Sequence, residues 1–363
     1  MSLLVKRIDL ERYRNINSRE ISFDDGVTIL VGPNAAGKTN TIEALQLLTA
    51  GESFRHPTSF ELVMEGCESA NATILIEGDG RVLDVGLHVT PEGRTFSLNG
   101  KTCRRSSLLG TLISILFNPD DLALIKGRAG LRRDEIDGFG SQVNKGYEKV
   151  CSTYRRSVEQ RNRLLKEERV DVALLDAWDE SLALGGATLL YHRMNLLRRL
   201  APTITRIYSR MVGKEGLVCE YHPSLGDEVL SMDRDDIHDL FVTRLRENRA
   251  DDIRRGMTLL GPHRDDITFE VAGMDARTYG SQGQQRTCVL SLKLAEVELA
   301  REITGRQPLL LLDDVMSELD EGRRNSFLDF VGDEVQTVIT TTNLGYFNAA
   351  VLDEAKVVSF DGR

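Results

Sequence analysis

The sequence predicts an α/β fold in which one sheet-containing domain is split by an inserted helical arm. Up to about Ile125 the chain contains short apolar runs typical of strands, separated by turns rich in glycine. From about Lys126 to Glu215 glycine becomes rarer and apolar residues recur at helical spacing. From Gly216 onward strand-like and helix-like runs alternate again, as they do in α/β domains. We therefore expect residues 1–125 and 216–363 to form one domain and residues 126–215 to form the arm.

Individual elements follow from the same patterns. The predicted strands are Val27–Val31, Ala72–Glu77, Val82–Val89, Phe96–Asn99, Ile267–Val271, Leu309–Leu312 and Val335–Ile339. In the arm we expect one helix within Ser141–Glu168 and a second within Ala173–Val212, where Gly185 and Gly186 favour a break or a kink. A further helix is expected over Thr287–Glu302.

Composition narrows the class of protein. No apolar run approaches the ~18–20 residues that span a bilayer, and charged residues near Met1 rule out a secretory signal there. The cysteines are odd in number and widely spaced, which favours reduced thiols in a cytoplasmic protein over disulfides or a zinc site. They are Cys67, Cys103, Cys151, Cys219 and Cys288. We expect a cytoplasmic location and no membrane partner.

Charge is unevenly distributed. The net charge of −10 argues against a surface that binds nucleic acid all over. Residues 126–215, however, hold 18 Lys+Arg against 12 Asp+Glu, which is a local balance of +6. A basic segment within an acidic chain points to contact with a polyanion.

A phosphate-binding loop is the strongest motif. Residues 32–39 fit the pattern G-x-x-x-x-G-K-[ST], follow the strand Val27–Val31 and open an apolar helix. The glycines allow backbone N–H groups to turn toward phosphate at a helix N-terminus. In this pattern the Lys38 ammonium places a positive charge against the outer phosphates, and the Thr39 hydroxyl ligates Mg²⁺. A match by chance occurs in about 1% of chains this long. The candidate nucleotide ligands are Gly32, Pro33, Asn34, Ala35, Ala36, Gly37, Lys38, Thr39 and Asn40.

An acidic pair follows the most apolar predicted strand. Four leucines, Leu309–Leu312, predict a strand buried on both faces, and Asp313 and Asp314 come directly after it. Ligands of open α/β sheets bind at this end of the strands. We predict that Asp313 holds Mg²⁺ through water and that Asp314 polarises the attacking water. The alternative is a solvated start of a loop.

A glycine- and glutamine-rich segment precedes the predicted helix at Thr287–Glu302. In Tyr279–Arg286, Ser281 and the Gly283 amide lie where a helix start leaves its N–H groups free. An ordinary N-cap needs one serine only. The flanking glycines and three glutamines therefore favour a second helix start that faces phosphate.

At this point the sequence resembles known proteins. Residues 281–285, Ser-Gln-Gly-Gln-Gln, resemble the signature motif of ABC-type ATPase heads, and residues 317–320, Ser-Glu-Leu-Asp, resemble their D-loop. Together with Gly-Pro-His-Arg-Asp-Asp at 261–266, these motifs resemble the RecF family of bacterial recombination mediators over the whole chain.

The resemblance implies an ABC-type ATPase head with a mixed sheet, in which ATP and Mg²⁺ lie between two copies of the chain. The implied catalytic residues are Lys38 and Asp314, and the implied metal ligands are Thr39 and Asp313. The residues implied to contact the nucleotide of the other copy are Ser281, Gln282, Gly283 and Gln284. The implied D-loop residues are Ser317, Glu318 and Asp320.

The resemblance also implies partners. RecF-like proteins form ATP-dependent homodimers, bind DNA at junctions of duplex and single strand, and act with RecO and RecR to load RecA at gaps. Their setting is DNA replication, DNA damage repair and the SOS response. These properties enter through the family and not through residue spacing.

Two departures from transporter-type heads predict slow turnover. Such heads place a histidine after the strand that follows the acidic pair, where this chain has Thr340-Thr341-Thr342-Asn343. The segment Phe117–Asp121 also contains no glutamine that would sense Mg²⁺. We therefore expect slow ATP hydrolysis, and the resemblance implies that this weak ATPase activity depends on DNA.

Other classes of protein fit less well. A transporter ATPase subunit would keep the histidine and would lack the long helical insert. A structural chromosome protein of SMC type needs a far longer coiled coil, and a GTPase needs an Asn-Lys-x-Asp motif. A small-molecule kinase would have no use for the signature segment.

Three charged groups have two interpretations each. Arg12, Arg14 and Asn15 resemble a segment that approaches nucleotide, or they belong to a solvated edge strand. The residues 263–266 form a DNA or protein interface, or a polar turn. On the first arm helix Lys145, Lys149, Arg156 and Arg163 form a stripe that contacts DNA or is simply solvated. The opposite face is apolar except at Arg161, and comprises Val143, Tyr147, Val150, Tyr154, Val158 and Leu165.

Overall fold

The computed structural model describes residues 3–213, 215–331 and 335–360 and divides into two compact units. The first unit comprises residues 1–121 and 290–363, and the second comprises residues 122–289. The split of the first unit by an insertion follows the sequence pattern, but the second unit extends to Val289 and does not end at residue 215.

The strands and helices are numbered in chain order. The strands are β1 Leu4–Tyr13, β2 Ile16–Ser22, β3 Val27–Val31, β4 Ala70–Gly78, β5 Arg81–Thr90, β6 Gly93–Leu98, β7 Lys101–Cys103, β8 Ser114–Phe117, β9 Leu217–His222, β10 Asp266–Val271, β11 Met274–Asp275, β12 Leu309–Asp313, β13 Thr337–Thr341 and β14 Lys356–Ser359. The helices are α1 Lys38–Ala50, α2 Ser59–Leu62, α3 Ala123–Lys126, α4 Ala129–Val143, α5 Lys145–Leu164, α6 Val172–Val212, α7 Arg234–Glu247, α8 Arg249–Arg255, α9 Gln282–Thr304, α10 Glu321–Val331 and α11 Ala349–Glu354.

Among the described residues the first unit has a parallel sheet of five strands, in the order β14-β3-β13-β12-β8, and an antiparallel sheet of six, in the order β2-β1-β4-β5-β6-β7. Helix α1 packs against both, and its Ile42, Leu45 and Leu48 share one apolar core with them. All of Leu309–Leu312 is buried, as the apolar run predicts. Strands β3, β13 and β12 are adjacent and parallel, so their carboxyl ends lie at one edge.

The second unit contains helices α3 to α8 and a small sheet in the order β11-β10-β9. Strand β9 packs on α6, and the Thr205 hydroxyl donates a hydrogen bond to the Leu217 carbonyl at 2.7 Å. The predicted boundary at residue 215 therefore falls between two elements that pack together. Periodicity along the chain carries no information on such packing.

The helix predicted within Ser141–Glu168 is α5, which begins only at Lys145, because residues 141–143 belong to the end of α4. Asn144 lies between them in an extended conformation, with φ −146° and ψ 107°. Its side-chain oxygen accepts a hydrogen bond from the Gly146 amide at 2.9 Å. Asn is a favoured N-cap residue because it satisfies a free amide in this way, and the cap separates the two helices.

Helix α6 is continuous over 41 residues, so of the predicted break or kink at Gly185 and Gly186 the break is absent. A Cβ atom on Gly186 would lie 2.4 Å from Cε1 of Phe241 and 2.9 Å from Cε2 of Tyr154. The glycine therefore permits two aromatic rings to approach the helix, and it does not interrupt the helix.

Strand β13 begins at Thr337, two positions after the predicted start, and the preceding Gln336 binds the backbone of β1 through its side chain. The Gln336 Oε1 accepts from the Val5 amide at 2.8 Å, and its Nε2 donates to the Val5 carbonyl at 2.7 Å. All five cysteines are free. In the part of the chain that the structure describes, no helix has both the length and the apolar character to cross a membrane.

Candidate nucleotide-binding site

The loop between β3 and α1 has a backbone that requires glycine at two positions. Gly37 has φ 102°, in the left-handed region that residues with a Cβ avoid. At Gly32 a Cβ would lie 2.1 Å from the carbonyl oxygen of Phe360, so no other residue fits. The loop therefore has the tight geometry that lets consecutive amides surround an anion at a helix start.

Lys38 is buried, with 6% of its surface exposed. Its Nζ donates hydrogen bonds to the carbonyls of Gly32 and Pro33, each at 2.7 Å. Burial lowers the pKa of Lys38, against the opposing effect of the nearby Asp314 and Asp313 charges. The ammonium group is thus held inside the loop, where a bound phosphate would replace weaker carbonyl partners.

The loop and the acidic strand end are joined by one carboxylate oxygen. Oδ1 of Asp313 accepts a hydrogen bond from the Thr39 hydroxyl and another from the Thr340 hydroxyl, each at 2.8 Å. Burial raises the pKa of Asp313, and the two hydroxyl hydrogen bonds lower it. A hydroxyl and a carboxylate in contact supply the hard oxygen ligands that Mg²⁺ prefers.

Asp314 has a different environment. Its backbone is left-handed, with φ 54°, and its amide donates to the Thr340 hydroxyl at 2.9 Å. Its Oδ1 is buried, and within the described residues it has no hydrogen-bond partner. Burial and then the Asp313 charge raise the pKa of Asp314. A strained residue with an unpaired buried oxygen is typical of a functional position.

The end of β1 supports the phosphate loop from the side. Asn15 Nδ2 donates to the carbonyl of Ala35 at 2.6 Å, and Asn40 Nδ2 donates to Asn15 Oδ1 at 2.7 Å. Strand β1 is paired on both sides, with β2 and β4, so the interpretation as a solvated edge strand is wrong. The contact of Asn15 with the loop agrees with the other interpretation, although Arg12 is exposed.

Sequence reasoning missed two residues that support the phosphate loop, Glu43 and Arg55. Arg14 forms a bidentate ion pair with Glu43, at 2.9 Å from Nε and 2.7 Å from Nη2. Glu43 is fully buried in α1, and Arg55 donates to Asn40 Oδ1 at 2.8 Å. An acid on the apolar face of the helix after the phosphate loop was the available signal, because such a group needs a buried partner.

The Ser281 segment lies in the second unit and begins α9. The Ser281 hydroxyl accepts from the Gln284 amide at 3.2 Å, while Gln284 Oε1 accepts from the Ser281 amide at 2.8 Å. This reciprocal pair is a capping box, so the N-cap interpretation is part of the answer. Because the hydroxyl oxygen accepts from the helix, its own hydrogen remains to donate outward, and Ser281 is exposed.

Of the predicted D-loop residues, Ser317 and Glu318 lie in a short 3₁₀ helix, Val315–Glu318, and Asp320 follows it. The Ser317 hydroxyl donates to the Asp314 carbonyl at 2.9 Å. Asp320 accepts from the Arg323 amide at 2.9 Å and pairs with its guanidinium, and the amide hydrogen bond lowers the pKa of Asp320. The segment is thus held against the acidic pair, and Ser317 and Asp320 are exposed.

Helix α5 carries the predicted basic stripe. The four cations of the stripe are exposed, and among the described residues none of the four makes an ion pair: Lys145, Lys149, Arg156 and Arg163. Arg161, which interrupts the apolar face in the sequence, is fully buried. Its Nε donates to Asp179 at 2.6 Å and its Nη1 donates to Asp252 at 2.7 Å. Arg161 therefore fastens α5 to α6 and α8.

The segment at residues 261–266 turns inward. Nδ1 of His263 lies 2.7 Å from the Tyr154 hydroxyl, and the Pro262 carbonyl accepts from Arg193 at 2.8 Å. Asp265 is buried and accepts from the Ser224 amide at 2.7 Å. The polar-turn interpretation describes this segment better than an interface does, because Arg264 is the one exposed residue of the six.

Comparison with known proteins gives consistent similarities. The family described as RecF/RecN/SMC N terminal domain matches residues 4–361. The DNA replication and repair protein RecF of Synechococcus sp. (strain JA-3-3Ab) is 38% identical over 98% of this chain and 96% of that protein. The protein of the same name from Lactobacillus acidophilus is 36% identical over 98% of this chain and 96% of its own.

Solved structures agree in fold. One titled "Structure of the recombination mediator protein RecF-ATPrS in RecFOR pathway" has a TM-score of 0.89, with 32% identity over 96% of this chain and 94% of that chain. An Smc head domain derived from Pyrococcus furiosus has a TM-score of 0.55 at 16% identity, covering 94% of this chain and 90% of its own. The second similarity concerns the fold alone, which is that of an ABC-type ATPase head with a helical insertion.

Proposed function

The chain belongs to the RecF family, within the RecF/RecN/SMC N-terminal domain proteins, and from this premise we propose that it is an ATP-dependent DNA-binding switch of DNA repair. The observation that carries the proposal is the hydrogen bond between Thr39 and Asp313 at 2.8 Å. It joins the phosphate loop to the acidic strand end, and the two parts are 274 positions apart in the chain. A shared site for Mg²⁺ and nucleotide explains why both motifs converge there.

In this proposal residues 32–40 bind ATP. The loop amides and Lys38 hold the phosphates, while Thr39 and Asp313 hold Mg²⁺. When bound, Mg²⁺ neutralises charge on the β- and γ-phosphates. The site has the ligand types that this ion requires, since its oxygens come from a hydroxyl and a carboxylate already in contact.

Hydrolysis is assigned to Asp314. Its unpaired Oδ1 is free to accept a hydrogen bond from the attacking water. The neighbouring strand supplies Thr340, whose hydroxyl binds Asp313 and whose oxygen accepts from the Asp314 amide. A hydroxyl is a weaker acid–base group than an imidazole at neutral pH, so slow, DNA-stimulated ATP hydrolysis is the expected activity.

The switch is an ATP-dependent homodimer. Ser281, Gln282, Gly283 and Gln284 of one copy contact the γ-phosphate held by the other, with Ser317, Glu318 and Asp320 beside the interface. The outward hydroxyl hydrogen of Ser281 and the helix start of α9 suit an anion. ATP then favours the dimer because it contacts both copies, and its hydrolysis removes that preference.

DNA is the partner that the dimer holds. The similar solved structures are of a recombination mediator protein of the RecFOR pathway, and the exposed stripe on α5 supplies cations for phosphates. We therefore assign to this chain binding at gaps or junctions of duplex and single strand, and cooperation with RecO and RecR in loading a recombinase.

The substitution Ser281→Arg tests whether ATP lies between two copies of the chain. An arginine at the trans position fills space needed by the partner's nucleotide, whereas the phosphate loop of the same chain is untouched. We expect monomers with normal ATP affinity in sedimentation experiments, while Ser231→Arg, an exposed serine of the same unit, should dimerise with ATP as the parent does. Intact ATP-driven dimers of Ser281→Arg would rule out the trans contact.

A further inference from the structure

Gln284 links the start of α9 to the end of the arm. Its Nε2 donates to Oε2 of Glu215 at 3.1 Å, and the same oxygen accepts from the Tyr208 hydroxyl at 3.2 Å. Tyr208 lies in the last turns of α6 and is fully buried. Because the other end of the Gln284 amide accepts from the Ser281 backbone, a continuous path of hydrogen bonds runs from α6 to Ser281.

This path restricts Gln284 to one orientation. An amide side chain has one acceptor end and one donor end, and Gln284 uses the acceptor on Ser281 and the donor on Glu215. If the donor end loses its partner, the side chain is free to turn, and the capping box at Ser281 loses one of its two hydrogen bonds. The direction of the Ser281 hydroxyl depends on that box.

Glu215 is not the principal tie between α6 and β9. The Thr205 hydroxyl makes a separate bond to the Leu217 carbonyl, and Leu217 is fully buried. A carboxylate next to a predicted phosphate contact is electrostatically unfavourable for an anion. The position of this carboxylate is explained if its role is to orient Gln284, because a charge-assisted hydrogen bond is stronger than a neutral one.

We propose that Glu215 is a positioning residue for the ATP-driven dimer: it holds Gln284, and Gln284 holds Ser281 for the phosphate of the other copy. The inference rests on the proposed function and adds a residue to it. It also connects the last turns of α6, through Glu215, to the segment that is proposed to contact the partner's nucleotide.

The first test uses the monomer without nucleotide. In Glu215→Ala, hydrogen exchange of the Ser281 and Gln284 amides should become several-fold faster, because the capping box opens more often. Exchange in α1 should be unchanged. Glu215→Gln, which keeps an acceptor oxygen, should restore most of the protection. Unchanged exchange in Glu215→Ala would overturn the proposal whether or not the protein dimerises.

The second test measures dimerisation with ATP in sedimentation experiments. Glu215→Ala should raise the dimer dissociation constant about tenfold, since each dimer loses a hydrogen bond at two sites, while monomer affinity for ATP stays the same. Glu220→Ala removes one charge from an exposed position on β9 and should have no effect. A parent protein that stays monomeric with ATP contradicts the proposed function, whereas a normal Glu215→Ala dimer contradicts this inference alone.

A double-mutant cycle identifies the route. If Glu215 acts through Gln284, then Glu215→Ala should add little to the effect of Gln284→Ala, because the shared contact is already lost. Fully additive effects on the dimer dissociation constant would show that Glu215 acts elsewhere.

Discussion

At the end of β12 two neighbouring carboxylates have different surroundings. Asp313 receives two hydroxyl hydrogen bonds, whereas one oxygen of Asp314 is buried without a partner. The first is therefore satisfied in the isolated chain. A buried oxygen without a partner costs folding free energy, which agrees with the proposal that Asp314 binds the attacking water.

The substitution Asp314→Asn should separate binding from hydrolysis. It leaves Lys38, Thr39 and Asp313 in place, so ATP should bind and the dimer should persist, but the attacking water loses its charged acceptor. We expect hydrolysis to fall at least tenfold, a typical effect of losing such a group. By contrast, Lys38→Met should lose ATP binding itself. Hydrolysis at the parental rate in Asp314→Asn would show that this carboxylate does not activate water.

The same variant gives a pH-dependent change in stability. The pKa of Asp314 is raised in the folded protein, so its ionisation opposes folding above the pKa of the unfolded chain, ~3.9. Without nucleotide, Asp314→Asn should raise the melting temperature at pH 7, and the gain should shrink as pH falls toward ~4. Asp353→Asn, at an exposed site on α11, is the control for charge alone. A gain independent of pH would contradict the assignment.

At the scale of elements, the packing of α6 depends on the absence of a side chain at Gly186. Gly186 faces Phe241 and Tyr154 with no room for a Cβ, whereas at Gly185 a Cβ would find its nearest atom at 3.7 Å. Both residues lie in the same helix, one position apart. They therefore form a matched pair in which helix propensity is equal and packing differs.

Gly186→Ala should destabilise the second unit by about 1–3 kcal/mol, because overpacking moves the aromatic rings. Gly185→Ala should be neutral or stabilise by up to about 1 kcal/mol through helix propensity. Urea unfolding followed by circular dichroism measures both. Equal effects of the two substitutions would mean that the close approach of Phe241 is not a constraint.

Local patterns were enough to predict the parts of the site that are local. Strand β3 has the predicted bounds, Val27–Val31, because its apolar run ends at the glycine of the loop. Strand β12 is one residue longer than predicted, since Asp313 continues the ladder opposite Thr340. The convergence of Lys38 with the acidic pair could be expected from parallel-sheet topology.

Features set by distant partners could not be predicted. In the sequence Arg161 interrupts an apolar helix face without an evident partner, because its partner Asp252 lies 91 positions away. The Gly185-Gly186 pair predicts a helix break or kink unless Phe241 is known to pack there. Glu43 likewise needs Arg14, which lies 29 positions earlier. In each case the chain pattern records the residue type, and only the tertiary structure supplies the partner.

At the scale of the whole molecule, the proposed function requires a surface that binds DNA. The exposed cations of α5 predict that the arms contact duplex phosphates. Each lost phosphate contact should lower the salt dependence of binding by ~0.9, so replacing Lys149, Arg156 and Arg163 by Gln should lower the slope by about 2 to 3 with ATP affinity unchanged.

A matched triple substitution in the first unit discriminates between a DNA site on the arm and a DNA site on the first unit. Arg81, Lys101 and Arg104 are exposed cations of the antiparallel sheet and its following loop, and their replacement by Gln removes the same charge. With ATP present, the arm triple should change the slope and this control should not. The opposite result would place the DNA site on the first unit.

The position of β3 has a consequence for synthesis. It lies between β13 and β14, so Val27 pairs with Thr337, a residue 310 positions later (337 − 27). A ribosome adds ~5–20 residues per second, and the strand that carries the phosphate loop must therefore wait ~15–60 s for its neighbours. During that interval the loop has no acidic partner, because Asp313 has not yet emerged. If the proposed function holds, a nascent chain is unable to hold Mg²⁺ and nucleotide together until translation has passed Asp313, and chains that stop before this residue lack the contact with Thr39.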